Sequence, residues 1–232
     1  MKILSIDDPN DLYYPLDKET YNDPTVYYHG TSKQFSTSIE EKGFHLKKVY
    51  DQTDVSNLYN AFSAPYFKTM SLEEMDYQKD DLAFARGGAS DSVSFAGNYW
   101  FARNYSMRRG GESIEKIVKV CKCISKLTDC PFKELAEKCL EKYGPIFENH
   151  VPCVYVVRLP DNELQELQGE KWKGMKAYYG ETEVKFTDND HWVHNNISNK
   201  SIIARIDFSK EIKKWDPEST ASGPYQFHWS KN

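Results

Sequence analysis

No run of apolar residues in this 232-residue chain approaches the roughly 18 needed to cross a bilayer. The opening stretch MKILSIDDPNDLYY lacks the apolar segment of a secretory signal. Positive charge is not in excess: the net charge is -5, which draws the chain globally to neither nucleic acid nor an anionic membrane. Cysteine is scarce and odd in number, five in all, which argues against a disulfide framework. Cys121, Cys123 and Cys130 cluster but lack paired ligand spacing, so no metal site is expected and the thiols read as reduced and cytoplasmic. There is no internal repeat, no low-complexity tract and no G-x-G-x-x-G, which excludes a repeat protein and weighs against a doubly wound dinucleotide fold.

What is present suits one domain with embellishments, with 39% apolar residues to build a core. Residues 1–24 contain Pro9, Pro15 and Pro24 and read as a turn-rich arm lying on the body. The stretch TVYYHG (Thr25 to Gly30) is β-branched and aromatic, hence a strand ended by glycine. A short helix follows, capped by Ser32 or Ser36 and stopped at Gly43. A helix is expected near LYNAF, a strand at DSVSFA and a helix at NYWFARNYSMRR. In ESIEKIVKVCKCISKL, Ile114, Ile117, Val118, Cys121 and Ile124 recur with helical period. PFKELAEKCLEKYG reads as a helix with Pro131 in its first turn and Gly144 at its end.

PCVYVVRL is the strongest strand, and GETEVKF and SIIARIDF read as two more. With helices confined to the first two-thirds and no βαβ alternation, the fold class is α+β with a mixed or antiparallel sheet. The main body is expected over residues 25–210, with 211–232 as a tail packed on it through Trp215, Tyr225, Phe227 and Trp229. Residues 45–90 and that tail are the expected places for target recognition or a lid.

Three stretches carry chemistry. In Tyr28-His29-Gly30-Thr31 the missing side chain of Gly30 permits close approach of backbone to a ligand, and the imidazole beside it can bond a hydroxyl. In SVSFAGNYWFARNYS, Ser92 and Ser94 share one face of a strand, while Tyr99 and Tyr105 are spaced so that only one ring points at a site. In GETEVKF, Glu181 and Glu183 point to one face, about 6.6 Å apart along the strand. Paired carboxylates can divide labour, one stabilising a developing cation and the other handling a proton. Each stretch also has a plain structural reading: a satisfied strand-end histidine, core aromatics, a solvated acidic pair.

In this order, the stretches resemble the ADP-ribosyltransferase superfamily, over roughly residues 25–210. The resemblance implies a split β-sandwich with mixed or antiparallel strands and peripheral helices around an NAD cleft. It implies that His29 bonds the nicotinamide-side ribose, that the Gly30 backbone holds the carboxamide, and that Thr31 belongs to the same motif. Ser94, with Ser92 as its neighbour, falls where family members carry serine or tyrosine. Tyr105 matches a tyrosine stacked on the nicotinamide, Glu183 the catalytic glutamate, and Glu181 the residue that prepares an arginine acceptor. The chain mixes two family patterns, since arginine-modifying members carry arginine where His29 stands and histidine-type members lack glutamate at position 181.

The implied activity is mono-ADP-ribosyl transfer from NAD to a protein side chain, arginine favoured, with release of nicotinamide. Family habit adds a toxin or effector role, with placement in the cytoplasm or delivery into a host cytosol without a classical signal. Two alternatives stand beside it. One is an NAD-dependent RNA-modifying enzyme, a nucleic-acid ADP-ribosyltransferase or an RNA 2′-phosphotransferase, to which the cations Arg103, Arg108, Arg109, Lys116, Lys119, Lys122 and Lys126 would contribute. The other is a non-catalytic module that binds NAD or ADP-ribose.

Overall fold

The computed structural model describes residues 1–6, 13–17, 19–20, 23–46, 49–61, 64, 66–67, 82, 92–97, 99–160, 190–208 and 228–229. They form an α+β protein that divides into two compact units. The first comprises Met1–Leu46, Ser92–Met107 and Val151–Asn232, the second Lys47–Asp91 and Arg108–His150.

The first unit holds a six-stranded mixed sheet. Its strands are β1 (Lys2–Ile6), β3 (Val26–Ser32), β4 (Val93–Ala96), β5 (Pro152–Arg158), β6 (Asp190–Val193) and β7 (Ile202–Phe208). A further pair, β2 (Tyr13–Tyr14) and β8 (His228–Trp229), runs parallel in a sheet of its own. The order across the main sheet is β1-β7-β5-β3-β4-β6, antiparallel throughout except for the parallel pair β1 and β7. Residues 2–6, expected within an arm, thus form an edge strand. Their alternation is short, and β7, about 200 residues later, supplies the partner that fixes them.

Both faces of the central strands are covered, which explains why β5 reads as a continuous apolar run. On one face Val26, Tyr28, Val154, Val156, Ala204 and Ile206 pack with Tyr99 and Ala102 of α3 (Tyr99–Ser106). On the other, Tyr27, Phe95, Tyr155 and Val157 pack with Phe44, Ile197 and Ile39 of α1 (Ser36–Lys42). A register shift at Val156/Val157 turns Ile202 to this second face while Ala204 stays on the first.

The α1 segment departs from its expected capping. A 3₁₀ turn, Lys33–Phe35, precedes α1, and neither Ser32 nor the start of α1 forms a side-chain cap. The buried Ser32 hydroxyl instead accepts from the Val151 amide at 3.4 Å. Gly43 does end the helix. Its φ is 83°, and a Cβ there would lie 2.0 Å from the Ile197 carbonyl oxygen, so only glycine fits.

The second unit contains α2 (Gln52–Ala61), α4 (Glu112–Ser125) and α5 (Lys133–Glu148). The periodic residues of α4 are all buried, together with Val120, against Val55, Leu58, Ala136, Cys139 and Tyr143. Contrary to expectation, α5 starts after Phe132 and passes through Gly144 and Pro145 to Glu148. Its buried stripe, Ala136, Cys139, Tyr143 and Phe147, continues beyond the proline. Burying Phe147, worth about 1.5–3 kcal/mol, offsets the hydrogen bond that Pro145 forfeits. All five cysteines are free thiols.

Candidate functional site

Among the described residues β3 and β4 register at a single position, Tyr28 with Ala96. One residue further, His29 makes the next link with its side chain: Nδ1 lies 2.7 Å from the Ser94 carbonyl oxygen. A carbonyl only accepts, so Nδ1 carries the proton and Nε2 is left as an acceptor. The ring packs edge-on against Phe44, centroids 4.8 Å apart, and 5.6 Å from Phe95. Phe44 also meets Phe95 and Tyr155 edge-on, so aromatic rings line one side of the half-buried imidazole. Burial lowers the imidazole's pKa below its ordinary value, and the bond to Ser94 opposes that only in part. His29 is therefore neutral at pH 7.

The bond has a consequence for Gly30. In an extended strand the direction of the backbone polar groups alternates with each residue. Because the Ser94 carbonyl faces β3, so do the groups of Ala96, which exchange with Tyr28. Gly30, two residues beyond Tyr28, then turns its N–H and C=O toward β4. Its register partner there would be Ser94, whose carbonyl the imidazole already takes. Among the described residues the register between β3 and β4 includes no pair at Gly30.

Gly30 also has a packing reason to be glycine. A Cβ would stand 1.8 Å from the Ala102 carbonyl oxygen and 2.6 Å from the Ser106 amide nitrogen, so α3 rests directly on it. The close approach expected of a ligand is made on that face by a helix.

The remaining candidate residues are distributed as follows. Thr31 is buried and shares the His29 face by alternation. Ser94 lies on β4 between Val93 and Phe95, which point to the His29 face, so its exposed side chain points to the other. What Ser94 brings to His29 is its backbone. Ser92, half-buried, immediately precedes β4. Of the two tyrosines, Tyr99 is core, edge-on to Tyr28, and Tyr105 is half-buried on α3. Glu181 and Glu183 lie outside the described residues.

A polar cluster that sequence reasoning missed adjoins the aromatic rings beside His29. Arg205 and Asp207 are buried on β7. Arg205 pairs with Asp207 at 2.7 Å and with Glu40 of α1, whose carboxylate also accepts from the Tyr155 hydroxyl at 3.1 Å. Lys33 reaches Asp207 at 2.9 Å. Burial disfavours the Asp207 carboxylate, yet the bonds from Arg205 and Lys33 outweigh it and hold its pKa below the ordinary value. The sequence signal was available: two opposite charges two residues apart inside IIARIDF, a strand otherwise apolar.

No family model matches the chain. No curated protein and no solved structure is significantly similar to it. Among the described residues no helix is long and apolar enough to cross a membrane.

Proposed function

We propose that the protein is a mono-ADP-ribosyltransferase with the split sheet of that superfamily, and that it moves ADP-ribose from NAD to a protein side chain. The observation that carries this reading is the parting of β3 from β4. There His29 takes the Ser94 carbonyl and no register pair with β4 falls at Gly30 among the described residues, so strand alternation turns the Gly30 N–H and C=O toward the gap. A carboxamide needs one donor and one acceptor side by side, and a ribose hydroxyl can donate to Nε2. β6, the strand that follows the Glu181-Thr182-Glu183 stretch in the chain, pairs with β4 on its far side, which favours the same grouping of motifs.

In this reading the nicotinamide–ribose bond loosens, positive charge gathers on the ribose, and nicotinamide leaves. Glu183 stabilises that charge, an effect typically worth about 2.7–4 kcal/mol for one well-placed group. Glu181 holds the acceptor and takes its proton as the new bond to ribose forms. An arginine acceptor, protonated at neutral pH, is the one such a carboxylate suits best. His29 and Gly30 bind and orient and do no proton chemistry.

The deciding experiment is incubation of purified protein with NAD, read as nicotinamide release. Labelled NAD with a lysate and mass spectrometry of the modified residue then identifies the acceptor. Calorimetry showing no NAD uptake ends the proposal.

A further inference from the structure

The charges around Arg205 have no part in the reading above, yet they sit on the sheet face that carries His29. Asp207 grips the guanidinium with both oxygens, Nε to Oδ1 at 2.7 Å and NH2 to Oδ2 at 3.1 Å. Such a fork fixes the plane of the group. It leaves NH1 to bond Oε1 of Glu40, the oxygen that also accepts from Tyr155. Tyr155 is the cross-strand partner of His29 on one side and of Arg205 on the other. Charges buried in this way often stabilise a fold no more than apolar residues of equal volume, which leaves room for a specific role.

That role is readable in what Glu40 fastens. Four residues on, Phe44 exchanges two backbone hydrogen bonds with Ile197, at 2.8 and 2.9 Å. Its ring packs edge-on against His29. Asn199 ties the other end of the turn, donating to the carbonyls of Glu40 and Glu41 at 3.0 Å each. A physical chain therefore runs from Asp207 through Arg205 and Glu40 to α1, then to Phe44 and the imidazole.

We infer that Glu40 is a positioning residue for His29: its bonds to Arg205 and Tyr155 hold α1 so that the Phe44 ring packs on the imidazole and shields one side of it. That the imidazole serves NAD rests on the preceding proposal; the positioning itself does not. Among the described residues, the ionisable groups on this face include Tyr27 from β3, Cys153 and Tyr155 from β5, Glu40 from α1, Arg205 and Asp207 from β7, and Lys33 after β3. From β4 the imidazole meets the Ser94 carbonyl and the Phe95 ring.

The test is an NMR titration of the His29 ring in ¹⁵N-labelled protein, the signal assigned by its absence in His29→Asn. In Glu40→Gln, with circular dichroism unchanged, His29 should titrate at higher pH than in wild type, toward an ordinary histidine, because water reaches the side of the ring that Phe44 no longer shields. Tyr155→Phe, which removes one bond, should move it less in the same direction. Arg158→Gln, which breaks an exposed pair with Asp23 elsewhere in this unit, should leave it in place. An unchanged titration in folded Glu40→Gln, or an equal shift in Arg158→Gln, overturns the inference. If Glu40→Gln fails to fold, Tyr155→Phe decides, and no shift there overturns it. A wild-type protein that releases no nicotinamide but shows the Glu40→Gln shift would sink the transferase reading and uphold the positioning.

Discussion

The Nδ1 nitrogen of His29 stands 2.7 Å from the Ser94 carbonyl oxygen, 65 residues away in sequence, and holds the ladder position that the Gly30 amide would otherwise fill. Two expectations follow from that exchange. In His29→Phe the ring volume remains, the Ser94 carbonyl is released, and the Gly30 amide can bond it. The Gly30 amide should then exchange more slowly with deuterium than in wild type, while NAD affinity falls about tenfold, the usual worth of one good hydrogen bond. Hydrogen exchange followed by NMR, together with calorimetry, checks both.

Acid should weaken the fold in two steps. His29 has a lowered pKa, so between that value and about 6.5 the unfolded chain binds a proton that the folded chain refuses. Its contribution is present above pH 6.5 and is lost as pH falls through the folded value. Asp207, also lowered, acts in the carboxylate range: its contribution is present above about pH 3.9 and is lost below its folded value. Urea unfolding from pH 8 to 5 should show a slope that His29→Asn flattens. Asp207→Asn, which leaves Arg205 with one anion fewer, should cost about 3–5 kcal/mol at pH 7.

Two glycines should respond oppositely to alanine. At Gly30 the new Cβ meets helix backbone, which cannot yield as a side chain would, and a loss of about 1–3 kcal/mol or more is expected. At Gly144, inside α5, nothing lies within 4 Å of the Cβ position. There alanine should stabilise by about 0.5–1 kcal/mol. Thermal melts of the two variants distinguish the sites.

The two glutamates should separate by activity. Glu183→Gln should lose roughly two to three decades of nicotinamide release with the fold intact, as the loss of about 2.7–4 kcal/mol requires. Retained release would favour a binding module over an enzyme. Glu181→Ala should spare NAD hydrolysis and cut transfer to protein. Equal falls in both activities would refute the division of labour.

RNA should not be retained. The lysines of α4 that gave the sequence its basic stretch are paired: Lys116 with Glu112, Lys119 with Glu115, Lys122 with Glu148. Arg103 is buried. Filter binding at about 150 mM salt should hold no more RNA than an acidic control protein, and a steep salt dependence would contradict this.

Strands buried on both faces announced themselves in the sequence: the β-branched and aromatic runs at β3, β5 and β7 came within two residues of their observed bounds. β1 and β6 did not, because five and four residues carry too little alternation and their partners are remote. The glycine of α5 misled because tertiary burial of Phe147 overrides a local stop signal. At the site, His29 was legible from the strand end it occupies. Ser94 was legible as a neighbour but not in its manner, since a carbonyl contact leaves no trace in residue type. Phe44 was hidden behind a helix stop that reads as a boundary rather than as a wall.

The parallel pairing of β1 with β7 bears on biosynthesis. Lys2–Ile6 leave the ribosome well before their partners Ala204–Phe208, which come about 200 residues later. At about 5–20 residues per second the delay is on the order of ten to forty seconds. Throughout it a strand bearing Ile3, still 56% exposed in the finished protein, waits without its mate, open to capture by a neighbouring nascent chain or a chaperone.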